Sequence, residues 1–93
     1  MREIAQAAVD GRTSVLEAVR QLVSLARADA VAELEDRRLI IAVESETDHL
    51  PVGAVRNLWA PDSLEEKDAE IARAEEFYRA AFLETCRRIV TGN

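Results

Sequence analysis

The residue types best able to do chemistry in this chain stand together at Glu44-Ser45-Glu46-Thr47-Asp48-His49, directly before Leu50-Pro51-Val52-Gly53. A carboxylate beside an imidazole can orient a general base or ligate a metal, which makes Asp48 and His49 the candidate catalytic pair. On a helix Ser45, Asp48 and His49 would share a face, with Glu44 one turn below Asp48. Downstream, the fork of Arg56 could hold an anionic substrate group. Glu46, Arg56 and Trp59 form the candidate binding set. Trp59 serves there as an exposed anchor for a partner, against the alternative of a buried ring closing the core. The competing reading of the whole cluster is a helix C-terminus and a turn. In it Asp48 and His49 satisfy loop amides, His49 favours the negative helix end, and Arg56 pairs with a nearby acid.

Other chemistries find less support. A zinc site needs three or four protein ligands of nitrogen or sulfur type, and the chain has one His and one Cys far apart. A Mg²⁺ or Ca²⁺ site from Glu44, Glu46 and Asp48 fits by ligand type, but no loop-forming glycine pattern accompanies it. The serines at 14, 24, 45 and 63 lack a Gly-x-Ser-x-Gly context, and there is no glycine-rich phosphate loop. Cys86 lies on the apolar side of the last helical segment, where a cysteine packs as a small hydrophobe. No metal and no cofactor are expected.

The elements that must position these residues are set off by three glycines and two prolines. Arg2 to Asp10 predicts a short helix that Gly11 ends. Val15, Leu16, Val19, Leu22, Val23 and Ala26 follow the spacing of a helix face, and the capping residues Thr13-Ser14 place that helix over about Ser14 to Ala28. The segment from about Ala30 to His49 contains Leu39-Ile40-Ile41-Ala42-Val43, which periodicity alone leaves open between helix and strand. No partner strand exists in the sequence, so a buried central helix is expected. Pro51 to Pro61 reads as an ordered connection pinned by Val52, Val55, Leu58 and Trp59, with room for one helical turn. Ser63-Leu64-Glu65-Glu66 has the form of a capping box, and the helix it opens runs to Val90 along Leu64, Ile71, Ala74, Tyr78, Ala81, Phe82, Thr85 and Ile89.

Ninety-three residues and a net charge of −6 bound the rest. The length suits a single helical domain over residues 1–93, and sixteen alanines with four aromatic rings make its core thin. The acidic balance disfavours a nucleic-acid footprint or an anionic membrane surface, and charge interrupts every apolar run. A lone cysteine and the absence of an apolar leader agree with a cytoplasmic location. A straight helix from Ser63 to Val90 would be about 42 Å long at ~1.5 Å per residue, more than the ~30 Å diameter of a compact chain this size. Phe77, Leu83, Cys86 and Val90 widen its apolar face, so a homodimer with helix 63–90 in the interface is expected.

The string Ser45-Glu46-Thr47-Asp48-His49-Leu50-Pro51-Val52-Gly53, followed by Val55-Arg56, Trp59, Lys67-Asp68-Ala69-Glu70-Ile71 and Tyr78-Arg79, resembles a family of small uncharacterised bacterial proteins. The resemblance covers Glu44 to Arg88 and implies that the His49 turn, Arg56 and Trp59 are a characteristic assembly, of the fold or of a binding site. It implies no activity. Helical periodicity and the shortage of turn signals make the expected fold an all-α single-domain bundle of about four helices with a long C-terminal helix. Two functions follow: a protein–protein interaction or regulatory module, its partner another protein or a second copy; or a small enzyme using Asp48 and His49 as acid and base, with Arg56 on an anionic group. Convergence of Asp48, His49 and Arg56 on an open cleft would favour the enzyme.

Overall fold

The computed structural model describes residues 2–27 and 34–91, and the regular structure among them is entirely helical. Helix α1 (Arg2–Val9) ends where the backbone turns left-handed at Gly11, φ +75°. The Gly11 amide donates to the Ala8 carbonyl at 3.1 Å and the Arg12 amide to that of Ala7 at 2.8 Å, the paired bonds of a Schellman terminus. Helix α2 (Val15–Arg27) starts at Ser14, whose hydroxyl accepts the Glu17 amide at 3.2 Å. Helix α3 (Leu34–Thr47) contains the ambiguous apolar run, which is helix and not strand. Among its described side chains, Asp36, Ile40, Val43 and Thr47 are the buried ones, spaced by four and three. The part of the expected third segment that falls in residues 28–33 lies outside the described residues.

A short 3-10 helix (Gly53–Leu58) leads to helix α4 (Pro61–Thr91). Gly53, at φ +77°, supplies the left-handed residue that turns the chain into the 3-10 helix. The start of α4 differs from the expected capping box. The helix opens two residues early, with Pro61 in its first turn and the Leu64 amide bonded to the Ala60 carbonyl at 3.0 Å. Proline's fixed φ suits that position and its missing N–H costs nothing there, so Ser63 falls inside the helix instead of capping it.

Helix α4 is the spine: α1, α2 and α3 all pack on it, while α2 also packs on α1 and α3. The core sits at its C-terminal half. Phe82 and Cys86 meet Ala5 and Ala8 of α1, Leu16, Val19 and Leu22 of α2, and Ile40 and Val43 of α3 in one cluster. Small alanines on α1 let that short helix approach closely, which partly makes up for the scarcity of large side chains. At the edge of the core, buried Asp36 accepts from Arg88 (Nη2–Oδ1 2.6 Å) and from the Thr85 hydroxyl at 3.1 Å, tying α3 to the end of α4. Burial pushes the Cys86 thiol up to about 11, with Asp36 adding to the effect.

Helix α4 exceeds the diameter of a compact chain of this length, as its sequence length requires. The molecule measures 44 × 24 × 19 Å, its long dimension close to the ~46 Å of a 31-residue helix. Leu83 and Val90, expected at an outer interface, pack against the core cluster, and Cys86 lies within it. Phe77 alone of that group is well exposed, at 78%.

Candidate functional site

The chain between α3 and α4 is a strap laid across the N-terminal half of α4, and its anchors are built from distant parts of the sequence. Helix α3 carries no basic residue in its last turn to meet its free carbonyls. Arg20 of α2 supplies the charge: its guanidinium donates to the Thr47 carbonyl, to the Thr47 hydroxyl at 3.2 Å and to the Leu50 carbonyl at 3.5 Å. A cation at a helix C-terminus is favoured by the carbonyl dipoles there. Thr47 in turn donates to the Val43 carbonyl at 2.6 Å. With α3 ended this way, Asp48 and His49 form an exposed turn and Leu50 and Pro51 pass into the interior.

An ion pair and a histidine–carboxylate hydrogen bond clamp the strap to α4. Arg56 donates through both terminal nitrogens to Asp68, at 2.7 and 3.1 Å, and to the Pro51 carbonyl at 3.2 Å. The hydrogen bonds from Arg56 hold the Asp68 carboxyl below the usual carboxylate range, and Asp68 in return raises Arg56. His49 Nε2 lies 3.1 Å from Glu70 Oε2, while Lys67 donates to the other Glu70 oxygen at 3.2 Å. Hydrogen bonding by His49 first, and by Lys67 second, lowers the Glu70 carboxyl.

Behind the strap is an open cleft of about 210 Å³ lined by Ser14, Leu16, Glu17, Pro51, Val52, Gly53, Arg56, Ile71 and Glu75. Small-molecule sites usually run from about 300 Å³ upward, so this one is small. Of its three charged lining residues, Glu17, Arg56 and Glu75, two are already engaged: Arg56 with Asp68, and Glu75 with the Leu16 amide, which it accepts at 3.1 Å. That last bond places a carboxylate on the N-terminus of α2, where backbone donors and the helix dipole favour it.

The sequence-derived candidates do not assemble into one site. Asp48 and His49 face solvent outside the cleft; only Arg56 of the three lines it. Glu46 is exposed. Trp59 is half-buried and donates its backbone N–H to the Arg56 carbonyl at 3.1 Å, closing the 3-10 helix without joining the core cluster. Val55 and Leu58, expected to pin the connection, turn outward at 44% and 84% exposure. The short strap is held by the Arg56–Asp68 and His49–Glu70 contacts and by Leu50, Pro51 and Val52 instead. Arg56 pairs with an acid, as the turn reading holds. Among the described residues, no three His, Cys, Asp or Glu are grouped so as to hold a metal ion.

Sequence reasoning missed Arg20, Asp36, Glu70 and Glu75 as positioning groups. Their partners lie 21 to 59 residues away, beyond any local pattern. No family model, curated protein or solved structure matches the chain.

Proposed function

We propose that this chain is a small cytoplasmic interaction module that acts by associating with another protein or with its own copy, and not by catalysis. The observation that carries this reading is how the chemically able residues are committed. His49 meets Glu70, Arg56 meets Asp68, and the cleft contains neither Asp48 nor His49. A general base works beside a group that holds the substrate, and the one cation lining the cleft, Arg56, is taken by Asp68. The contact positions in this reading are the exposed large apolar side chains, Phe77 on the outer face of α4 and Val55 and Leu58 on the 3-10 helix. The acidic balance of the molecule steers association toward positively charged surfaces. No helix among the described residues is long and apolar enough to cross a membrane.

The test is affinity capture from the native host, followed by mass spectrometry, run in parallel with wild type, Leu58→Glu and Phe77→Glu. Both side chains are exposed, so the variants keep the helical circular dichroism of the wild type. A stoichiometric species bound by wild type and lost from a variant supports association through this surface. Turnover of a small molecule that falls on His49→Ala, with no bound protein, supports the enzyme instead.

A further inference from the structure

Glu66, Arg73, Phe77, Ala80, Glu84 and Arg87 recur along α4 at helical spacing, so they share one face, and every one of them is exposed. This stripe points away from the core formed by Phe82, Thr85 and Cys86. Phe77 stands one residue past the midpoint of Pro61–Thr91, its ring edge-on to Tyr78 at a centroid distance of 4.8 Å. A single exposed ring on a monomer is ordinary. Its position at the centre of a helix face whose other members are four charged residues and one alanine is what carries the inference.

The charges on this stripe are arranged about the same point. Glu66 and Arg73 precede Phe77, and Glu84 and Arg87 follow it. Counted outward from the ring, one arm carries base then acid and the other acid then base. A uniformly basic partner would meet an arginine in each arm. A second copy laid parallel would set acid against acid and base against base. A second copy laid antiparallel sets Glu66 near Arg87 and Arg73 near Glu84, twice, and stacks the two Phe77 rings at the symmetry axis.

We propose that α4 pairs antiparallel with α4 of a second copy about a two-fold axis at Phe77. This rests on the reading of the chain as an association module, and adds the occupant of the surface and its direction. The small Ala80 side chains beside the rings give the helices room to approach. Glu66 of each copy falls opposite the Arg87 region of the other, since residues equally far from Phe77 on opposite sides face each other.

Cysteine cross-linking tests direction and axis together. In Phe77→Cys the two introduced thiols meet, and oxidised glutathione converts the protein at micromolar concentration to a disulfide-linked species of twice the chain mass. In Ala69→Cys the two thiols are held about 24 Å apart along the helix axis at ~1.5 Å per residue, too far to bridge, and the chain stays single. Cys86 is buried in both and remains reduced. Glu66→Lys weakens association about tenfold, and Glu66→Lys with Arg87→Glu restores it to within a few-fold. Any other cross-linking pattern overturns the proposal: bridging at both positions means parallel or unspecific contact, and bridging at neither means no pairing here. A chain that fails to cross-link but still loses a captured partner on Phe77→Glu overturns only the second copy as occupant. Loss of both takes the association reading with it.

Discussion

Glu70 divides its two oxygens between His49 and Lys67, and Asp68 gives both of its own to Arg56, so the strap is held to α4 by carboxylates that must stay charged. Both carboxyls have folded-state pKa values below their ordinary ones. A depressed folded pKa contributes stability that is present above the unfolded value, near 4, and is lost as pH falls through the folded one. Amide hydrogen exchange across residues 48–59, corrected for intrinsic rate, is therefore expected to speed up below about pH 4 while the core amides stay protected. Asp68→Asn should show the faster strap exchange already at neutral pH. Cys86 gives a second residue-scale prediction. With its thiol pushed up to about 11 in the core, it should react slowly with a disulfide reagent at pH 8 in the native protein and fast once unfolded. At this scale the sequence was only partly legible. That Arg56 pairs with an acid could be read from its setting in a turn. Which acid could not, because Glu65, Glu66, Asp68 and Glu70 all follow Arg56 within about a dozen residues, and the choice follows from how the strap crosses α4.

Among the elements, α1, α2 and α4 were legible because their apolar spacing and terminators agree, as at Val9-Asp10-Gly11 and at Ser14. Helix α3 was legible only through the want of a partner strand, and its period was hidden for a specific reason. Its buried stripe begins at Asp36 and ends at Thr47, and these polar residues hide the helical period from a hydrophobicity pattern. They are tolerated there because Arg88 with Thr85, and Arg20, come from other helices to satisfy them. The strap misled in the opposite sense, since Val55 and Leu58 have core residue types and point outward. Two stability predictions belong to this scale. Gly11→Ala meets no neighbouring atom, so its cost is the left-handed backbone alone, about 1–2 kcal/mol in denaturant unfolding. Phe82→Ala empties the centre of a thin core and should cost about 3–5 kcal/mol, a large part of the ~5–15 kcal/mol that a domain usually has.

For the molecule as a whole, α4 sets both shape and surface. A radius of gyration of 13.2 Å, against about 12 Å for a compact chain of this length, reflects a core gathered on half of a helix that runs the full long axis. The length of α4 was readable from its single unbroken run between Pro61 and Gly92. The face it leaves open was not. Leu83, Cys86 and Val90 turn inward to supply a core short of large residues, and the exposed apolar surface contracts to Phe77 on a stripe of opposed charges. That placement is the ground for self-association, and the mass in solution tests it most directly. Light scattering of the wild-type chain at micromolar concentration in about 0.1 M salt should report about twice the 10.3 kDa chain mass, and Phe77→Glu should report the single chain mass. A wild-type chain that stays at 10.3 kDa, or a Phe77→Glu variant that keeps the doubled mass, would contradict the account.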